Sequence, residues 1–243
     1  MTQATPATTG RPPAAPPARP LLSVLICVYN ERETILNVVR KVQAVPVDKE
    51  IIIVDNCSTD GTRELLQQLA GEATIVLHPR NLGKGASIRT GIARASGEYV
   101  LIQDADLEYD PADYPRLLAK ADATHADAVY GSRTLAGRNT KYLTYYAGVR
   151  VLTWLTNALY RARLTDVATA CKMVRTDVAK RLPLRCSGFD LDFEITNQLC
   201  KRGFRVEEVP VVYHPRSFTE GKKIRARDGL AGLWVIIRNR FVD

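Results

Sequence analysis

Between residues 22 and 130, short apolar runs alternate five times with polar or helically spaced stretches. Residues 22–28 (LSVLICV), 50–54 (EIIIV), 74–77, 98–103 (EYVLIQ) and 126–130 read as strands. The two continuous runs lack polar alternation, which marks strands buried on both faces. Residues 31–44, 62–69 and 83–95 carry helical signals, with Ile35, Val38, Val39 and Val42 on one face of the first. Pro111 opens a further helix at a position where proline is tolerated. Strands joined through helices pair in parallel, so the expected fold class is α/β, a doubly wound, mainly parallel sheet flanked by helices.

The second half holds longer helical candidates at 142–160, 190–201 and 228–241, with short strand signals around Pro210 at 205–213. It carries no second independent core, so residues 21–243 read as one domain. Residues 1–20 contain six prolines and no apolar stretch, and read as a disordered leader rather than a signal peptide. The 46% hydrophobic and 25% charged content excludes a wholly disordered chain. Five cysteines without a CxxC pair argue against a disulfide framework or zinc site and suit a reducing, cytoplasmic compartment. No run of 18 apolar residues exists to span a bilayer.

In open α/β sheets, ligands bind beyond the carboxyl ends of the strands. Those ends are followed by Tyr29 and Glu31, by Asp55, by Asp104-Ala105-Asp106-Leu107-Glu108, and by Gly131-Ser132-Arg133. If the segment after the fourth strand stays extended, Asp104, Asp106 and Glu108 project to one side. Three carboxylates in one place call for a cation, and Mg²⁺ or Mn²⁺ suits hard oxygen ligands bridged to phosphates. A solvated acidic turn is the plainer alternative. Asn81-Leu82-Gly83-Lys84-Gly85 precedes a helix, where glycines and the helix N-terminus favour an anion. It has no Walker spacing, and no GxGxxG follows the first strand, which argues against a dinucleotide-binding oxidoreductase.

The ordered motifs VYNE (28–31), IVDNCSTDGT (53–62), NLGKG (81–85), QDADLEYDP (103–111) and GSR (131–133) together resemble the inverting family 2 glycosyltransferases. They look most like the dolichol-phosphate mannosyltransferase-like, polyprenyl-phosphate branch. The resemblance implies a GT-A fold, with a nucleotide-sugar half at 21–133 and an acceptor half at 134–243. It implies that Val28, Tyr29, Glu31, Asp55, Lys84, Asp104, Ala105 and Asp106 contact a nucleotide-diphosphate sugar, with Asp55 on the base. Asp106, with Glu108, would hold the divalent ion, and Asp104 would touch ribose or sugar. Glu108 replaces a glutamine common in the mannosyltransferases, and Asn56 stands where the family usually has a second Asp. Arg133, Arg216, Lys222 and Lys223 are the implied acceptor-phosphate residues, although Gly-Lys-Lys replaces the branch's Gly-Ser-Lys.

A lipid phosphate attacks as an existing anion and needs cations to position it, which Arg133 and Arg216 would supply. A hydroxyl acceptor needs a base instead, and Asp192, within Asp190, Asp192 and Glu194, is the candidate. Capping of the following helix is the competing role for these acids. The basic amphipathic stretches 142–160 and 229–241 suit either core packing or the cytosolic face of a membrane. A non-catalytic nucleotide-binding module is the remaining reading. Nucleic acid is not an expected partner, because bare carboxylates repel phosphates. The net charge of +8 has a local centre: residues 214–243 hold seven Lys/Arg against three Asp/Glu.

Overall fold

The computed structural model describes residues 19–137, 143–216, 223 and 226–242. Most of the leader expected at 1–20 therefore lies outside the described residues, as does Lys222. In chain order the elements are β1 (Leu22–Val28), α1 (Ile35–Ala44), β2 (Lys49–Asp55), α2 (Thr62–Gln67), β3 (Thr74–Leu77), α3 (Lys84–Arg94) and β4 (Tyr99–Asp104). A short 3-10 turn, Pro111–Asp113, leads into α4 (Tyr114–Thr124), then β5 (Ala128–Ser132) and α5 (Leu143–Tyr160). The remainder is β6 (Lys172–Arg175), α6 (Thr176–Arg181), α7 (Leu191–Lys201), β7 (Val206–Pro210) and α8 (Ala226–Phe241).

The strands form one seven-stranded sheet in the order β3-β2-β1-β4-β6-β5-β7. β1 pairs in parallel with β2 and β4, and β5 with β7, whereas β6 runs antiparallel to β4 and β5. The mainly parallel α/β expectation holds, with one reversed strand inserted that the sequence did not mark. β6 is four residues long and begins with a lysine, so it lacks the apolar length that marked its neighbours.

The residues of β1 divide between two cores. Val24, Ile26 and Val28 pack with Ile35, Val38 and Val42 of α1 and with Leu117 and Ala121 of α4. Leu25 packs on the other face with Ile88 and Ile92 of α3, Leu191 and Ile195 of α7, and Val235 and Ile236 of α8. Burial on both faces is why β1 and β2 appear as unbroken apolar runs. α1 starts at Ile35, later than its periodicity indicated. The preceding residues form a turn in which the Thr34 hydroxyl donates to the Ala105 carbonyl at 2.7 Å.

Gly83 sets the docking of α3. Its φ of +90° lies in the left-handed region, and a Cβ there would stand 2.1 Å from the Ser187 carbonyl oxygen. Beside it, the Gly85 N–H donates to that same oxygen at 2.7 Å. Gly83→Ala therefore combines backbone strain with a backbone clash. It is expected to cost about 2 kcal/mol or more, read as a lower urea midpoint with an unchanged slope.

Candidate active site

A cleft of about 440 Å³ opens at the carboxyl edge of the sheet. The ends of β1 and β4 supply Val28, Tyr29, Glu31, Asp104, Ala105, Asp106 and Glu108 to its lining. Arg133, which follows β5, lies on the same cleft, together with Arg216, Lys223 and Arg227. Acids and bases that are far apart in sequence thus meet around one space.

The segment after β4 does not stay extended. Leu107 takes a positive φ of 62°, and the Glu108 N–H donates to Asp106 Oδ1 at 3.1 Å. A tight turn, rather than alternation along a strand, brings Asp104, Asp106 and Glu108 to the cleft. Burial, followed by repulsion from Asp104 and Glu108, pushes the Asp106 carboxyl up to about 7. Glu108 is fastened to the chain beyond β7: its Oε2 accepts from the Tyr213 hydroxyl and its Oε1 from the Arg216 N–H, both at 2.8 Å.

Each acid in this cluster has a cationic or donor partner. Arg216 forks onto Glu31 at 2.9 and 3.1 Å and also lies 3.1 Å from Asp106 Oδ2. Lys223 reaches Glu31 at 2.6 Å. Burial opposes the charge on Glu31, but hydrogen bonds from Arg216 and Lys223 hold its pKa below the ordinary value. Lys84, at the start of α3, lies 2.7 Å from Asp104 and 3.7 Å from Asp192. Burial works against the Lys84 ammonium, yet these two carboxylates raise its pKa and keep it protonated.

Of the three acids in the GFDLDFEI segment, only Asp192 lines the cleft. Its Oδ1 is buried and has no hydrogen-bond partner. Asp190 accepts from the Gly188 N–H at 3.1 Å. Glu194 Oε2 accepts from the N–H groups of Arg185 and Cys186, each at 2.8 Å, so it shapes the loop that receives Gly83 and Gly85. Asp55 is fully buried and does not line the cleft. It bonds Arg63 Nε at 2.6 Å and the Ser58 N–H at 3.2 Å. Its neighbour Asn56 lines the cleft instead, donating to Asn81 Oδ1 at 2.8 Å and accepting from the Leu82 N–H at 2.8 Å.

Sequence reasoning missed Asp166. It holds Arg133 through Nε at 2.7 Å and Nη2 at 2.8 Å, and also accepts the Arg133 N–H at 3.1 Å. The Arg133 guanidinium then lies 5.1 Å from the Tyr213 ring centroid. Glu208 of β7 fixes this segment by accepting the N–H groups of Thr165 and Asp166 at 2.7 and 3.0 Å. Below it, the fully buried Lys172 ammonium donates to the carbonyls of Val167 and Thr169. Burial pushes that lysine down to about 8. Contacts between residues 33 apart leave no local spacing in the sequence. Asp166 stands between Thr165 and Val167, six residues ahead of β6, and nothing local to it signals the role.

What an ion pair contributes here depends on its burial. Asp166→Ala removes a fully buried carboxylate from an arginine whose side chain is only 13% exposed and is expected to cost about 3 kcal/mol in urea unfolding. Lys41→Ala breaks a pair whose side chains are 45% and 37% exposed and is expected to cost about 1 kcal/mol or less.

The family model described as Glycosyl transferase family 2 matches residues 23–182. The chain is 28% identical over 204 residues to the low-salt glycan biosynthesis hexosyltransferase of Haloferax volcanii, covering 81% of this chain and 48% of that one. It is 29% identical over 209 residues to the undecaprenyl-phosphate 4-deoxy-4-formamido-L-arabinose transferase of Salmonella paratyphi A, covering 83% and 62%. The chain thus spans about half of the first relative and less than two thirds of the second. Among solved structures, the Mycobacterium tuberculosis glucosyl-3-phosphoglycerate synthase, in complex with Mn²⁺, uridine diphosphate and phosphoglyceric acid, superposes with a TM-score of 0.68. That match has 18% identity and covers 92% of this chain and 80% of the other. The architecture is the GT-A fold, and the chain belongs to glycosyl transferase family 2.

Proposed function

We propose that this glycosyltransferase moves a sugar, with inversion, from a nucleotide-diphosphate sugar to a polyprenyl phosphate, with the help of a divalent ion. One observation carries the reading: the acidic group of Glu31, Asp104, Asp106 and Glu108 shares a single cleft with Arg133, Arg216, Lys223 and Arg227. Acids suit a cation on the donor diphosphate, and guanidinium groups suit a second anion, the acceptor phosphate. The name of the Salmonella relative supports a polyprenyl phosphate acceptor. Manganese bound with uridine diphosphate in the mycobacterial neighbour supports the ion.

The donor set fits Mg²⁺ or Mn²⁺. It consists of hard carboxylate oxygens, and the crowding of Asp106 by Asp104 and Glu108 that raises its pKa is the kind of repulsion a cation relieves. Among the described residues no three His, Cys, Asp or Glu side chains are grouped to hold a metal on their own. Asp106 would hold the ion, aided by Asp104. Glu108, whose carboxylate is held by Tyr213 and Arg216, would be the further ligand. When bound, the ion offsets the charge that builds on the leaving diphosphate.

The protein's own groups do the positioning. Val28, Tyr29 and Ala105 line the nucleoside end, while Asp55 braces the loop that carries Asn56. Lys84 and Asp104 offer a donor and an acceptor to sugar hydroxyls. Arg133, oriented by Asp166, and Arg216 hold the acceptor phosphate in line with the breaking bond. Lys223, and Lys222 beyond the described residues, belong to the same basic segment. No base is required, because the attacking phosphate oxygen is already anionic.

The unpartnered Asp192 Oδ1 favours a second reading, in which Asp192 deprotonates a hydroxyl acceptor. Nucleotide sugars incubated with Mn²⁺ and detergent-solubilised polyprenyl phosphate should give a glycolipid. Transfer only to a soluble hydroxyl acceptor would overturn the phosphate reading. Asp192→Asn should keep turnover within about tenfold if the acceptor is a phosphate, and lose about a hundredfold or more if Asp192 is the base.

Asp106 must be ionised to bind a cation, and it titrates near 7. Mn²⁺ affinity, followed by electron paramagnetic resonance, should be level above that pH and fall about tenfold per unit below it.

A further inference from the structure

We propose that the paired helices α5 and α8 form a docking face for an anionic lipid bilayer. This inference rests on the polyprenyl-phosphate reading, since such an acceptor resides in a membrane. The sequence contains two tryptophans, and both stand out on this face: Trp154 of α5 is 69% exposed and Trp234 of α8 is 63% exposed. On α8, Leu230, Trp234, Ile237 and Phe241 fall at helical spacing along one exposed stripe. On α5, Val151 and Trp154 form the matching stripe.

α5 packs against α8, and α8 against α7. α8 meets α7 through Asn197 Nδ2, which donates to the Val235 carbonyl at 3.3 Å. α5 meets α8 through the Tyr160 hydroxyl, which donates to the Ile236 carbonyl at 2.8 Å. Val235 and Ile236 are buried inward, so the tryptophan-bearing stripe is turned out. Neither helix is long and apolar enough to cross a membrane, as holds for every helix among the described residues. Large apolar and aromatic side chains on a helix that cannot span fit one that lies in the interface.

Charge selects the occupant. Asp228 is the single acid in α5 and α8, against the exposed Arg150, Arg227 and Arg240, while Arg238 turns inward to Glu194. Arg161 and Arg163 follow α5 directly. A second copy of this chain would set these cations against like charge, whereas an anionic lipid surface neutralises them. The face is also continuous with the cleft. Arg227, in the first turn of α8, lines the cleft, and the stripe runs from there to Phe241, about 21 Å further along the helix. A lipid phosphate held at the arginines could keep its chain in a bilayer lying along α8.

The test uses the full chain and vesicles of phosphatidylcholine with or without phosphatidylglycerol, free of polyprenyl phosphate. Because both tryptophans lie on the face, intrinsic fluorescence reads it directly. Anionic vesicles should bind the protein and move its emission to shorter wavelength, and added salt should weaken binding. Leu230→Glu with Trp234→Glu should weaken vesicle binding at least about tenfold. Arg150→Gln should weaken it about fivefold. These variants should retain glycolipid synthesis in detergent, which also reports that they fold. Absent vesicle binding, equal binding to phosphatidylcholine alone, or a dimer dissolved by the same substitutions would overturn the proposal. Synthesis in detergent without vesicle binding removes the docking face and leaves the acceptor reading standing. Vesicle binding without any glycolipid product does the reverse.

Discussion

Parallel pairing of β1 with both β2 and β4 is the constraint on which this site depends. The register sets Val28 level with Asp55 and Cys27 level with Asp104. Strands that run the same way end at the same edge, so the polar residues following each one are gathered before any ligand arrives. The gathering has an electrostatic cost, because most of those residues are acids. The fold offsets it acid by acid, with Arg63 on Asp55, Lys84 on Asp104, and Arg216 on Glu31 and Asp106. Ion pairs therefore close across the cleft. In the proposed reading, a metal and a diphosphate would bind by exchanging those partners.

Where the sequence was legible, burial explains it. β1 and β2 are covered on both faces, so composition alone marked them, and the motifs at their ends located the cleft. α1, α7 and α8 were likewise visible from their apolar spacing, to within a few residues. Local turn geometry was not visible. The left-handed Leu107 converts an extended acidic stretch into a turn, and no residue type announces that at a leucine. Long-range pairing was equally silent: Asp166 reaches Arg133, and Glu31 reaches Arg216 across 185 residues. Asp55 shows a third limit. Its position after β2 was read correctly, but its side chain turns inward to Arg63, and Asn56 takes the surface.

The site also separates what orients from what reacts. Glu194, Glu208 and Lys172 are charged, nearly or fully enclosed in the cases of Glu194 and Lys172, and directed at backbone groups rather than at the cleft. Each secures a loop that carries a cleft residue. Buried charges used this way define loop shape through several directed hydrogen bonds, which apolar packing cannot do. The price is a dependence of cleft geometry on groups that never meet a ligand.

The reversed strand β6 has a consequence for how such an enzyme can diversify. Because β6 runs against its neighbours, the chain entering it, 165–171, arrives at the edge where β1, β2 and β4 end. One rim is therefore served from two directions by two unrelated stretches of sequence. In the proposed reading, the stretch that precedes β5 serves the nucleotide-sugar donor and the stretch that follows it serves the acceptor. Insertions or exchanges after β5 can then retune the choice of acceptor while the donor motifs keep their register, so that a single scaffold can be inherited with one specificity held constant and the other free to drift.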